Sequence, residues 1–330
     1  MQNVNEYLFL CTRIKSLERS LLNRERMERM LEARSNEDAL DVLTECGYAE
    51  LPEPTAQSID RVLADQRRKA MADLAVYVPD PEVINAFRVR YDYHNVKVLL
   101  KSEAMSADPA SLLLDAGRVS ARELTDRVRS NNLAGLPSIL QTAVMQARDV
   151  LNTTADPQQA DFVLDRAFYA DMDDIARRAG SGFLGGYVRI SVDAANLRSV
   201  VRTLRMGKDT DFLKGVLFEG GNIDVGRVLA SVTSGVSLDE LFASSPLREA
   251  AEEALQVLSG GSLTRFEKLC DDAVTEYLSG AKYIAFGEAP IIAYLAAKET
   301  EFTAVRIIMA GRMAGLDADT IRERLREAYV

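Results

Sequence analysis

The stretch "RVRYDYHNVKVLLK", residues 88–101, sets arginine, aspartate, asparagine and two lysines into an otherwise apolar segment. About a hundred residues later "RISVDAANLRSVVR", residues 189–202, repeats the polar positions in register. Arg88, Asp92, Asn95, Lys97 and Lys101 answer to Arg189, Asp193, Asn196, Arg198 and Arg202. On a helix turning 100° per residue, Arg88, Asp92 and Asn95 fall at about 0°, 40° and −20°, one narrow stripe, while Lys97 and Lys101 point to the opposite face. Val89, Val96 and Leu100 flank the stripe on one side, Tyr91 and Val98 on the other. A polar stripe between apolar flanks is expected to be buried.

Burying arginine and aspartate is costly unless they pair and their remaining donors find acceptors. These helices are therefore expected to join hydrogen-bonded networks, with Arg189 serving as the counter-ion of a buried Asp193. Arginine four residues before aspartate is the weaker order for a local helix pair, which points to tertiary partners. Two readings stay open: the stripe braces helix crossings, or part of it lines a cavity for a protein ligand. The basic faces, Lys97 and Lys101 in the first copy and Arg198, Arg202 and Arg205 in the second, are either solvated or docking places for an acidic partner.

The repeat runs on. "LDAGRVSAREL", residues 114–124, follows the first copy and "FEGGNIDVGRVL", residues 218–229, the second, aligning Gly117 with Gly221, Val119 with Ile223 and Ser120 with Asp224. "MAGLDADTIRERL", residues 313–325, is a looser third echo. A long helix, a glycine turn and a capped shorter helix thus recur, the mark of internal duplication. Elsewhere apolar residues such as Tyr7, Cys11, Ile14, Leu17 and Leu21 keep helical spacing, and no alternating strand is found. Prolines, Pro52 among them, fall between helical segments. Ser35 with Asp38, Ser120 with Glu123, and Asp317 read as helix caps. The glycine pairs at 185, 220 and 260 read as turns needing positive φ. The expectation is an all-α fold of three similar helical modules, 1–107, 108–212 and 213–330.

With 330 residues, 47% of them hydrophobic, the chain is long enough for a large core. Its net charge of −10 repels phosphate backbones, which argues against nucleic acid as a partner. Scattered Cys11, Cys46 and Cys270 suit a reducing compartment and a core role. No secretory leader and no run of about 18 apolar residues is present, so a cytoplasmic protein with no membrane span of its own is expected. The single histidine, His94, has no cysteine or acidic companion at metal-ligand spacing. Gly207-Lys208 lacks the rest of a phosphate loop, and the acidic pairs Asp173-Asp174 and Asp271-Asp272 read as solvated faces. No catalytic residue, metal ligand or cofactor site emerges.

"YDYHNVKVLLKSE", "VDAANLRSVVRTLRMGKD" and the C-terminal stretch from "FGEAPIIAYLAAKETEF" to "REAYV" together resemble the central-stalk C subunit of bacterial and archaeal V/A-type ATPases, the counterpart of the d subunit in eukaryotic vacuolar ATPases. The likeness extends to the opening "YLFLCTRIKSLERSLL" and covers nearly the whole chain. It implies an all-α funnel of three domains about a pseudo-threefold axis, with no catalysis and no cofactor. It implies a rotor component, peripheral on the cytoplasmic face of the membrane, that sits on the proteolipid ring and receives a central shaft of the D and F subunits during ATP-linked proton or sodium transport. Family positions carried over are Arg88, Asp92, Asn95 and Lys101; Arg189, Asp193, Asn196, Arg198 and Arg202; and Tyr294, Glu299, Glu301 and Arg306. The third set departs from the pattern, with Glu299 and Phe302 in the aspartate and asparagine places. The alternative is a free α-repeat scaffold binding soluble proteins.

Overall fold

The computed structural model describes residues 4–51 and 53–330; Pro52 lies outside the described residues. These are all-helical, with no strand among them. In chain order the helices are α1 (Val4–Glu18), α2 (Arg24–Glu32), α3 (Asn36–Glu45), α4 (Ala56–Ala75), α5 (Glu82–Met105), α6 (Ala121–Arg129), α7 (Ser138–Thr154), α8 (Pro157–Ala179) and α9 (Gly182–Arg205). There follow α10 (Thr210–Val216), α11 (Val225–Ser234), α12 (Leu238–Leu241), α13 (Arg248–Leu258), α14 (Leu263–Ser279), α15 (Ala289–Met313) and α16 (Ala318–Arg322).

Start and stop signals are realised locally. Ser35, Ser120 and Asp317 accept from the backbone N–H three residues on, as their spacing predicts. Asp156 caps α8 with Pro157 in its first turn, and Gly180 closes it at φ +61°. Gly220 and Gly260 have positive φ, at +96° and +105°. The pair at 185 does not form a turn. Gly185 and Gly186 lie inside α9, which Ser181 caps and which buries Leu184, Tyr187 and Val188. That burial outweighs the roughly 1 kcal/mol each glycine costs a helix.

By packing the chain divides into two units, residues 1–79 with 236–330, and residues 80–235. Packing and repetition cut the chain differently: both copies of the repeated long helix, α5 and α9, lie in the second unit, and α15 lies in the first. In the first unit α15 is apolar nearly all round, as a helix enclosed by others must be. Its Phe302, Val305, Ile308 and Met309 join Met30, Leu40, Leu43 and Leu63 of α2, α3 and α4 in one core. Asp271 and Asp272 are half-buried, not a solvated pair: Asp271 accepts from Arg326 Nε at 2.6 Å and Asp272 from the Glu327 amide at 2.8 Å, fastening the C-terminal segment to α14.

In the second unit α8 packs against α5, α7 and α9. Glu82 pairs with Arg178, Lys97 with Asp165 and Lys101 with Asp161, at 2.9, 2.6 and 2.6 Å, so α5 and α8 run antiparallel along an ionic ladder. Phe87 of α5 and Tyr187 of α9 stack with ring centroids 5.7 Å apart.

Candidate functional site

The aspartate and asparagine of the polar stripe are buried, and in each copy they bond to the glycine turn that follows the long helix. Asp92, Asn95, Asp193 and Asn196 are each at most 1% exposed. Asn95 accepts from the Leu114 amide at 2.9 Å and donates to the Leu114 carbonyl at 2.8 Å. Asn196 makes the same two bonds to Phe218, both at 2.8 Å. A side-chain amide with one donor face and one acceptor face thus completes a residue whose backbone has left its helix.

The aspartates take the next turn of chain. Asp92 accepts from the Val119 amide at 3.2 Å, and Asp193 from the equivalent Ile223 amide at 3.1 Å. A Cβ on Gly117 would overlap the Asp92 carboxylate, and one on Gly221 the Asp193 carboxylate. Glycine is needed here for close approach, not for an unusual φ.

The counter-ions differ from the expectation. Asp92 is paired not with Arg88 but with Arg118, whose Nε lies at 2.6 Å and whose two other nitrogens reach Asp171 of α8 at 2.9 and 2.7 Å. Tyr93 adds a hydroxyl bond to Asp171 at 3.2 Å. Burial works against the Arg118 charge, yet Asp171 and Asp92 outweigh it and hold the guanidinium above its ordinary value. Burial pushes the Asp92 carboxyl up while Arg118 and the Val119 amide pull it back. Arg88 is half-buried, its guanidinium lowered by that burial with Asp92 opposing.

Asp193 is served differently. Arg189 is exposed and donates to Asn222 Oδ1 at 3.2 Å, and Asn222 in turn gives Asp193 Oδ2 its amide at 3.1 Å and its side-chain nitrogen at 2.8 Å. The expected Arg189–Asp193 buried pair is therefore replaced by a carboxylate fed by amide donors. The arginine's length carries its charged head to water instead. Burial raises the Asp193 carboxyl, opposed first by Asn222.

The basic faces have partners inside the chain. Lys97 and Lys101 are half-buried and meet the acidic face of α8, so the acidic helix that docks there is the protein's own. Arg198 is half-buried beside Tyr169, while Arg202 and Arg205 are exposed near the end of α9. His94 is exposed, its Nε2 at 3.0 Å from the Leu112 carbonyl oxygen.

The third set is built otherwise. Glu301 is 4% exposed and accepts from the Leu22 amide at 2.7 Å, from the Tyr48 hydroxyl and from Lys298. Glu299 lies 3.6 Å from Arg67, which stacks over Phe302 at 4.7 Å. Arg306 pairs at the surface with Asp60 at 2.6 Å, and Tyr294 is buried. Here the charged side chains tie α15 to the chain's first helices and not to the turn that follows it. Sequence reading missed Arg118, Asn222, Asp171, Lys298 and Tyr48. Arg118 and Asn222 carried a usable signal, since each directly follows an aligned glycine.

Among the described residues no three metal-ligating side chains cluster, and no helix is long and apolar enough to cross a membrane. Residues 10–324 match the family model of the ATP synthase (C/AC39) subunit. The chain belongs to the C/AC39 family. Members of the C/AC39 family are structural, non-catalytic parts of V/A-type ATPase complexes. This C/AC39 chain is 23% identical to the C subunit of the V-type sodium ATPase of Enterococcus hirae, across 98% of itself and 99% of that protein. It is 26% identical to the C subunit of the V-type ATP synthase of Thermus thermophilus, across 97% and 98%. It is 28% identical to the C subunit of the A-type ATP synthase of Haloferax volcanii, across 74% and 73%.

Proposed function

We propose that the protein is the rotor socket of a V/A-type rotary ATPase, coupling a central shaft of the D and F subunits to the membrane proteolipid ring for ATP-linked proton or sodium transport. The observation that carries this is the family match across residues 10–324. In this reading the protein lies on the cytoplasmic face of the membrane, held there by the complex, and ions pass through other chains. The modules 1–107, 108–212 and 213–330 form a funnel with pseudo-threefold symmetry. The internal bracing supports the reading, because torque is transmitted only by elements that do not yield. In the second unit, α5 is bonded to α8 by three ion pairs and to the turn after it by Asp92 and Asn95.

Native mass spectrometry of the protein mixed with a D/F shaft and with a detergent-solubilised ring tests the reading. A one-to-one complex with each is expected. Failure to bind either partner removes it and leaves the free helical adaptor.

A further inference from the structure

We propose that a cavity in the first unit is a binding site for a small oxyanion, a carboxylate or phosphate group, received by Lys298, Tyr294 and Lys69. This goes beyond the coupling role and stands independently of it.

Helices α1, α4 and α15 and the turn after α3 enclose a cavity of about 160 Å³. A water's share of liquid volume is about 30 Å³, so the space exceeds what one or two waters fill. Lys298 and Tyr294 of α15 line it, each 5% exposed. An ammonium carries three donors. Among the described residues Lys298 has one oxygen acceptor, on Glu301, and otherwise stands 5.0 and 5.4 Å from the ring centroids of Tyr48 and Phe302. Glu301 already accepts from the Leu22 amide, the Tyr48 hydroxyl and Lys298. The pair is thus unequal: the buried carboxylate accepts from three donors, whereas the buried ammonium has a single oxygen acceptor. With three donors and one oxygen acceptor, Lys298 can also take an acceptor that enters from the cavity.

The rest of the lining adds donors. Asp73 is the lining carboxylate, and Arg13 binds both its oxygens at 2.7 Å. Lys69 stands exposed at the mouth and adds a second positive charge, and the Ser20 hydroxyl is a further donor. A partly enclosed space with two lysines and two hydroxyls, its one lining carboxylate already held by Arg13, suits an acceptor-only ligand of a few heavy atoms.

Titrating the full chain with inorganic phosphate and with acetate at constant ionic strength, read by calorimetry and thermal shift, tests the site. Saturable binding of at least one anion, not reproduced by chloride, is expected. Tyr294→Phe and Lys69→Ala leave the Lys298–Glu301 pair intact and should each weaken that binding about tenfold, roughly the worth of one hydrogen bond to a charged group. Which anion binds more tightly tells a phosphate source from a carboxylate source. No saturable binding, an equal effect of chloride, or unchanged affinity in both variants would overturn the proposal and leave water as the occupant.

Discussion

The carboxylate of Asp193 lies against Gly221 so closely that the glycine has no room for a methyl group, and Asp92 stands in the same relation to Gly117. The duplicated sequence thus preserves a contact between a long helix and its own following turn. Replacing either glycine by alanine must displace a buried carboxylate already bonded to backbone amides. Gly117→Ala and Gly221→Ala should each cost about 1–3 kcal/mol, the usual range for overpacking a tight interior. Gly215 lies in a helix with open space around it, so Gly215→Ala should be neutral or slightly stabilising. Urea unfolding of the three variants checks this; equal effects would mean that the contact is not tight.

The two aspartates have different partners, so they should fail differently. Arg118→Met removes one cation from two buried carboxylates, Asp92 and Asp171, and should cost about 3–5 kcal/mol. Arg189→Ala should cost less than about 1 kcal/mol, because that side chain is exposed. Equilibrium unfolding of both variants measures the contrast. A large loss on Arg189→Ala would restore the buried pair that spacing along the helix suggests.

That contrast shows what the sequence carried. Periodicity placed Asp92, Asn95, Asp193 and Asn196 inside, because burial follows from which helix face a residue occupies. Partner identity did not follow, because Arg118 lies 26 residues beyond Asp92 across a turn, and helical phase says nothing about such a distance. Asp161 and Asp165, four residues apart on α8, look the same in sequence whether they face water or Lys101 and Lys97. Gly185 and Gly186 misled for the opposite reason: local propensity favoured a turn, and packing around Tyr187 and Val188 overrode it.

Stability should fall with rising pH at Asp193. Burial raises its carboxyl above the ordinary value of 3.8, so the folded protein holds this proton more tightly than the unfolded chain. The favourable contribution is complete below the unfolded value and is lost as pH climbs through the folded one. Subtracting the pH profile of Asp193→Asn from that of the parent, by chemical unfolding between about pH 4 and 7, isolates the group. A difference that grows in the parent's favour with pH would reverse the sign.

The cysteines should be inert in the folded protein. All three are buried and none is in a disulfide; burial raises the Cys11 thiol and pushes Cys46 up to about 11, leaving little thiolate of these two near neutrality. Iodoacetamide at about pH 8 should label none rapidly in buffer and all three in denaturant, as counted by intact mass. Fast native labelling of Cys46 would show that the core around Glu301 opens readily.

The coupling role is tested most directly by reconstituting the parent ATPase in vesicles with and without this protein and measuring ATP hydrolysis and ion uptake together. Omission should leave hydrolysis by the soluble motor but abolish uptake, and adding the protein back should restore uptake. Ion pumping that persists at full rate in its absence would contradict the role of rotor socket.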